Sequence, residues 1–459
     1  MAGGPLTVVI GAGISGLICG YGLQKAGQNV LVLEASSRPG GVIQSIGKDG
    51  YLLELGPQSF SGTSPLCELC AELGLNEALV QAPHGVPRFI LLGGKLVPVP
   101  VSPPAFLSSR LLSWKTKFVI LTEILRNTHP PESDESIAAF TRRKFSAELL
   151  DRLVGPFVSG IYAGDPEQIS LRAAFPSVYE AEKFAGSVVR GMLRFAKTPK
   201  ATMSQPRRRP SLISFRSGNE SLITALADKL GPNLRCNVAV IAVDRLQQGF
   251  LVRLRKAGGG SEEMACEQLV VATPAGVAAS LLGELTPEAR VSLSKIAYAP
   301  VAVASLAYRR EQVRHSLNGF GFLVPRSSKL RTLGTVWNSS LFSGRAPQGQ
   351  VLLASFVGGA TDPSAADLSD EALSALVHRE LAPILAISGQ PVMQQVTLHR
   401  RAIPQYNVGH TRRLQIIRAA VESIPGLWLT GNYCNGPAVG TCIEHAFSVA
   451  EKVRAGYKR

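Results

Sequence analysis

Aromatic residues make up only 6% of this 459-residue chain, with 3 Trp and 5 Met, and its 33 acidic residues are outnumbered by 48 Lys and Arg. No apolar run approaches the roughly 18 residues that a membrane-crossing helix needs. The chain is therefore expected to be cytoplasmic, in solution or peripheral on a membrane surface. No basic segment precedes the first apolar stretch, so no signal peptide is expected. The 7 Cys are odd in number and scattered, which speaks against a secreted disulfide framework and for a reducing compartment. Cys67 and Cys70 form a CxxC without a second pair nearby. Two core positions on one helical face are expected there, and no metal set is read. Zinc-finger spacing, an RNP-like aromatic run and a helix-turn-helix pattern are all missing, which removes nucleic acid as a partner. The net charge of +15 then points to anionic lipid or an acidic small molecule. A nucleophile–His–acid set is missing too.

What is present is a globular composition, 45% hydrophobic and 18% charged, rich in glycine at 45 residues. The length suggests two or three domains. No internal repeat is seen. Leu6 to Ile10 is a short β-branched strand leading into Gly11-Ala12-Gly13-Ile14-Ser15-Gly16. A helix follows from Leu17 to Lys25, then a second strand from Asn29 to Leu33, closed by Glu34. Gly11 permits the strand-to-helix turn, Gly13 lets the backbone approach a pyrophosphate, and Gly16 allows close packing of helix on strand. The helix N-terminus offers free N–H groups to phosphate, and Glu34 is placed to accept ribose hydroxyls. A lone GxGxxG is weak. Between strand and helix, with the acid in place, it specifies a dinucleotide site.

At the other end, Gly426 to Tyr433 reads as a strand ending in glycine, and Asn435-Gly436-Pro437-Ala438-Val439-Gly440 leads into a helix from Thr441 to about Arg454. This is a second helix N-terminus available to an electron-rich atom. Between the two ends, Leu66–Leu73 reads as a helix, and Arg88–Leu92 with Lys95–Val99 as a hairpin across Gly93-Gly94. Residues 105–195 read as mostly helical, with Leu107–Leu125 either an amphipathic surface helix or a core-facing one. No acidic residue lies between Glu182 and Glu220, whereas nine Lys and Arg do, and Ala201–Pro210 reads as a mobile basic loop. Such a patch favours anionic lipid by about 1 kcal/mol per basic residue near the surface. An α/β pattern returns with a helix over Leu222–Leu230 and strands at Leu234–Val243, Leu251–Leu254 and Gln268–Ala272. Further strands are expected at Val301–Tyr308, Leu333–Val336 and Val351–Val357.

After Glu34 come Ala35, Arg38, Gly40, Gly41 and Val42, then Gly56-Pro57-Gln58-Ser59. The run LEAxxRxGG resembles the flavin amine oxidase superfamily. The segments Pro156–Asp165, Gly319–Pro325, Phe356–Gly359 and Ile403–Tyr406 follow in order, and with them residues 6–450 closely resemble the oxygen-dependent protoporphyrinogen oxidases. The resemblance implies an α/β fold: an FAD-binding Rossmann-like domain (1–85, 211–290 and 400–459), an inserted α+β substrate-binding domain (86–101 and 291–399), and a mostly helical, membrane-contacting subdomain (102–210). It implies FAD as cofactor, Arg38 by the FAD phosphates, Gly41 near the flavin, Val240 and His399 as FAD contacts, and Pro437-Ala438-Val439 at the flavin C2 carbonyl. Arg88 corresponds to an arginine that pairs with a substrate propionate. Gly160 corresponds to a glycine whose carbonyl faces pyrrole N–H groups. Leu323, Leu333 and Phe356 correspond to apolar residues that hold a tetrapyrrole. Ser217-Gly218-Asn219, Asn435 and Thr441 depart from the family pattern.

The activity so implied is six-electron oxidation of protoporphyrinogen IX by O2, with H2O2 released, in haem biosynthesis. Hydride leaves an sp³ meso carbon for flavin N5 and a pyrrole proton follows, so no strong catalytic base is required. Coproporphyrinogen III is the alternative substrate. Two further readings stay open, a flavin amine oxidase and a non-catalytic FAD-bound scaffold on a membrane surface. An amine oxidase usually needs an aromatic cage, for which Tyr433 has no evident partner. A homodimer is left open.

Overall fold

A computed structural model describes residues 4–197, 211–256 and 258–456. The expected basic loop over Ala201–Pro210 lies outside the described residues. The apolar strands near both chain ends assemble into one five-stranded parallel sheet, ordered Leu234–Arg235, Asn29–Leu33, Leu6–Ile10, Gln268–Val271 and Leu427–Leu429. A parallel sheet is covered on both faces, so its strands are apolar at successive positions rather than alternate ones. Val9, Val32 and Val270 pack on one face beneath the helices Ile14–Lys25, Glu220–Leu230 and Val439–Gly456. Val8, Ile10, Leu31, Leu33 and Val271 pack on the other, beneath the three-stranded meander from Val238 to Cys266. The first and last long helices lie side by side, which brings both glycine turns to the same end of the sheet.

A second, seven-stranded sheet is inserted. Its order is Met393–Pro404, Tyr298–Arg309, Gln350–Gly358, Thr332–Val336, Gly321–Leu323, Arg88–Leu92 and Lys95–Pro98. Only Gly321–Leu323 against Arg88–Leu92 is parallel; the other pairs are antiparallel. Helix Asp370–Leu385 packs on this sheet, burying Leu373, Val377, Leu381 and Leu385. The strand Met393–Pro404 carries residues 400–404 in this sheet. A group of short helices between Pro103 and Lys197 covers the sheet's Arg88 end. No helix among the described residues is long and apolar enough to cross a membrane.

Several local expectations are corrected. Only Cys70 of the CxxC is buried, because Leu66, Leu69 and Cys70 face the core of helix Ser64–Glu72 and turn Cys67 to solvent. The strand expected over Leu234–Val243 is two strands, divided where Asn237 takes φ +59°. The run Leu107–Leu125 is broken at Ser109–Ser113, with Ser113 capping the helix Trp114–Thr122 through the Thr116 amide. Its amphipathicity is inverted. Lys117 and Glu123 are buried, while Trp114, Phe118, Leu121 and Leu125 are 54–80% exposed. Lys117 Nζ donates to the carbonyls of Leu107 and Ser109 at 2.7 and 2.6 Å, which draws the cation inward and turns the apolar stripe out.

A buried ion pair ties the strand Tyr51–Glu54 to the loop that leads into strand Gln350–Gly358 of the seven-stranded sheet. Arg345 donates to Glu54 Oε1 at 2.9 Å, and both side chains are 2% exposed. Glu54 also accepts from Ser45 Oγ at 2.5 Å and from the Asn219 amide at 3.0 Å. Arg345 also donates to Ser214 Oγ and, at 3.2 Å, to the Phe215 carbonyl. Removing one member of such a pair leaves the other charge buried, a loss of about 3–5 kcal/mol. Arg345→Met is therefore expected to lower the unfolding free energy by about that amount in urea titration, and adding Glu54→Gln should recover part of the loss. Equal stabilities for wild type and Arg345→Met would show that the pair does not hold these segments together.

Candidate cofactor and substrate site

Strand Leu6–Ile10 delivers the first glycine turn, and a Cβ at Gly16 would stand 1.8 Å from the Gly11 carbonyl oxygen. The helix can start there only with glycine at that position. No side chain caps its N-terminus at Gly13, and the space where a Gly13 Cβ would project is open. The first-turn N–H groups, including those of Ile14 and Ser15, therefore face a cradle free of side chains, as a pyrophosphate requires. Glu34 is held across from it. Its Oε2 accepts from the Ala12 amide at 2.7 Å, and its Oε1 accepts from the Ser36 amide and hydroxyl at 2.9 and 2.7 Å. These residues fit the adenosine and phosphate half of a dinucleotide.

The loop after Glu34 returns beside the same turn. Ala35 and Val42 are exposed on it. The Gly40 amide donates to the Ala12 carbonyl at 2.7 Å, and Gly13 and Gly40 bridge. Arg38 donates to the carbonyls of Pro39, Gly41 and Ile43 at 3.0, 2.7 and 3.2 Å. Its guanidinium thus ties up its own loop beside the phosphate cradle. Val240 sits at a bulge in strand Val238–Arg245 and lines an open groove of about 350 Å3 with Ile241, Val277 and Arg401.

The segment Gly56–Ser59 is fixed by its own Gln58, by His399, and by Asn219 and Asn338, whose bracing roles sequence reasoning missed. Gln58 Nε2 donates to the carbonyls of Glu54 and Gly56 at 3.0 and 2.8 Å, and its Oε1 accepts from Asn338 Nδ2 at 2.6 Å. Asn219 Nδ2 donates to the Pro57 carbonyl at 2.7 Å. His399 Nε2 donates to the Leu55 carbonyl at 2.8 Å, so His399 acts on this loop from the seven-stranded sheet. Nothing local in the sequence marks Asn219, Asn338 or Arg345; their partners lie far along the chain. The C-terminal turn leads through Pro437 and Ala438 into the 18-residue helix Val439–Gly456. Thr441 Oγ1 donates to the carbonyls of Gly436 and Ala438 at 3.2 and 2.7 Å.

On the substrate side, Gly160 lies on helix Gly155–Tyr162, and a Cβ there would meet Leu323 Cδ2 at 2.8 Å. Leu333 and Phe356 pack together against Ala163, Ala299 and Val301. Arg88 is the register partner of Gly321, two residues before Leu323. Its guanidinium lies 5.2 Å from the centre of the Phe320 ring, and no carboxylate pairs with it among the described residues. The arginines that border this region in the chain are engaged: Arg326 with Asp165 at 3.2 Å and Arg331 with Asp362 at 2.6 Å. The region thus offers apolar surface and an open guanidinium, and the side chains of Leu323, Leu333 and Phe356 supply no base. Tyr433 is fully buried and lines no cage.

The sequence profile of the family described as flavin containing amine oxidoreductase matches residues 14–454. The chain is 35% identical to a chloroplastic protoporphyrinogen oxidase of Nicotiana tabacum, over 98% of this chain and 86% of that protein. It is 29% identical to coproporphyrinogen III oxidase of Bacillus subtilis (strain 168), over 95% of each. A crystal structure of a protein from Exiguobacterium sp. 255-15 superposes with TM-score 0.82 at 26% identity, covering 100% of both chains.

Two imidazoles lie behind the C-terminal turn. Burial pushes His410 down to about 4, with Arg413 and Arg418 adding and the Tyr433 carbonyl and Asp134 opposing. Burial likewise takes His445 to about 4, helped by Arg418 and Lys452. A depressed folded value contributes stability above the ordinary value near 6.5, and that stability is lost as pH falls toward 4. For His410 alone the loss between pH 7 and 5 is about 2 kcal/mol. Urea midpoints should therefore fall over this range, and the fall should be smaller in His410→Gln. A midpoint with the same pH dependence in both proteins would show that His410 carries its proton in the fold.

Proposed function

The chain belongs to the flavin containing amine oxidoreductase family and is an FAD-dependent oxidoreductase; from that premise we propose that it oxidises protoporphyrinogen IX to protoporphyrin IX, with three O2 reduced to three H2O2. The observation that carries this reading is the open Arg88 guanidinium at the edge of an apolar region built from Leu323, Leu333, Phe356 and Gly160. Such a region suits a large apolar ring bearing few carboxylates. When bound, the flavin supplies the two-electron acceptor for each round. The chain's own residues hold the ring and exclude water, and Arg88 fixes its register by a charge-assisted bond to one carboxylate. A porphyrinogen delocalises its own positive charge over its pyrroles, so a site without an aligned base suffices. The Gly160 carbonyl is the acceptor we assign to the pyrrole N–H groups.

Coproporphyrinogen III carries four propionates and would ask for more open cations. The engagement of Arg326 and Arg331 with Asp165 and Asp362 favours the dicarboxylate substrate. The buried Tyr433 argues against an aromatic cage and hence against an amine substrate. The exposed stripe Trp114, Phe118, Leu121 and Leu125, whose last turn packs on the helix Val188–Lys197 with its Arg190 and Arg194, supports an anionic lipid surface as the partner of the helical subdomain.

Anaerobic mixing with protoporphyrinogen IX should bleach the bound flavin. Arg88→Ala should raise KM about tenfold or more, the worth of a charge-assisted bond, while retaining FAD. A flavin that no porphyrinogen reduces would end this reading. Phe118→Ser with Leu121→Ser should lower binding to vesicles containing anionic lipid and leave anaerobic flavin reduction unchanged; vesicle binding equal to wild type would remove the lipid partner.

A further inference from the structure

Gln405, Tyr406 and His410 are buried between the two halves of the site, and none of the cofactor or substrate roles assigned above uses them. Tyr406 is 2% exposed. Its hydroxyl donates to the Asn432 carbonyl at 2.7 Å and accepts from the Gly436 amide, also at 2.7 Å. One oxygen thus closes the chain between strand Leu427–Leu429 and helix Val439–Gly456, from the side opposite Thr441. The Tyr406 ring stacks on His410 with centroids 4.1 Å apart, and His410 Nε2 donates to the Tyr433 carbonyl at 3.0 Å. On the other flank, the Tyr406 ring lies 5.6 Å from that of Tyr162, on the helix that carries Gly160. Gln405 Nε2 donates to the Tyr162 carbonyl at 2.9 Å, and the Ser170 amide donates to the Tyr406 carbonyl at 2.8 Å.

We propose that Tyr406 is a positioning residue: its hydroxyl fixes the Asn432–Gly436 turn that aims the C-terminal helix at the flavin, and its ring and neighbour Gln405 tie that turn to the Gly160 helix on the substrate side. The physical reasoning is direct. Negative charge develops on the flavin as it accepts two electrons, and a helix N-terminus stabilises that charge only while it is held in place. The Gly436 amide and Asn432 carbonyl are satisfied by a single side chain. Without the hydroxyl both are left unpaired, and the turn must move to satisfy them. Phenylalanine keeps the stacking on His410 and removes only the oxygen.

The test is Tyr406→Phe as holoenzyme, compared with Tyr308→Phe. Tyr308 is also buried, and its hydroxyl bonds His378 Nδ1 at 3.0 Å on the helix Asp370–Leu385 that packs on the seven-stranded sheet; its loss reports the general effect of deleting a buried hydroxyl. Tyr406→Phe should shift the visible spectrum of the bound flavin and weaken FAD binding about tenfold. Its midpoint potential should drop by about 30 mV for each tenfold lost in holding the reduced form over the oxidised one, as for a two-electron couple. Turnover should fall with KM for the porphyrinogen little changed, and Tyr308→Phe should leave the potential at the wild-type value. If Tyr406→Phe does not fold, Thr441→Val loosens the same turn from its other side and should lower the potential in the same direction. A wild-type spectrum and potential in Tyr406→Phe, or in Thr441→Val where that variant stands in, overturns the proposal. So does an equal drop in Tyr308→Phe.

Discussion

One buried charge pair, Glu54 with Arg345, ties the strand that leads into the cofactor loop to the loop that leads into the seven-stranded sheet. Glu54 ends the strand Tyr51–Glu54 and directly precedes Leu55-Gly56-Pro57-Gln58, whereas Arg345 comes from the loop before strand Gln350–Gly358. Burial pushes the Glu54 carboxyl up, against the opposing pull of Arg345, Ser45 and Asn219. Burial also pushes Arg345 down. Both directions express the cost of taking charge out of water, which commonly cancels the attraction within the pair. The contribution of the pair is therefore geometric: a slip of either segment would leave charge buried and unpaired. Because Ser214 and Asn219 complete the same network, the strand and helix that cover the dinucleotide sheet are placed by it as well.

From this junction the loop Leu55–Ser59 inherits its position. Its carbonyls at Leu55, Gly56 and Pro57 are bonded by His399, Gln58 and Asn219 respectively. His399 belongs to the strand next to Tyr298–Arg309, whose other neighbour carries Phe356. The cofactor loop and the apolar substrate surface are thus set by the two strands that flank Tyr298–Arg309 in one sheet. A reaction limited by the placement of one carbon against one acceptor atom gains from such rigidity, since small displacements cost large factors in rate.

The glycine turns were legible in the sequence because their chemistry is local: a strand, a turn and a helix within a few residues, then an acid at the end of the next strand. The order of apolar strands, and hence the α/β class, was legible for the same reason. The braces were not. Glu54 meets Asn219 and Arg345 across 165 and 291 residues, and no periodicity encodes such meetings. Strand Met393–Pro404 was obscured because His399, Arg400 and Arg401 interrupt its apolar pattern, although it pairs along most of Tyr298–Arg309. Helix His410–Glu422 was obscured by its polarity, since it buries only His410, Ile417 and Val421. Cys67 was misplaced, and the face of Leu107–Leu125 was left open, because a pattern assigns a face without saying what the face meets.

Lys117 shows where that limit becomes informative. A lysine buried to 3% exposure costs free energy unless its charge is satisfied, and here two carbonyls at a helix break satisfy it. Glu123 is buried on the same inner side, where it accepts from Ser187 Oγ and the amides of Val188 and Val189 at 2.7, 2.9 and 3.1 Å and pairs with Lys144 at 3.0 Å. Those bonds hold its carboxyl below the ordinary range despite burial. The inner side of this subdomain is thus organised by polar contacts, and its outer side carries Trp114, Phe118, Leu121 and Leu125. Burying charge while exposing four large apolar side chains runs against the water-driven arrangement of a free surface helix. The arrangement is consistent energetically once the outer face is covered by something apolar. The exposure of that face follows from the packing of this subdomain alone, and it is independent of the substrate the flavin site accepts.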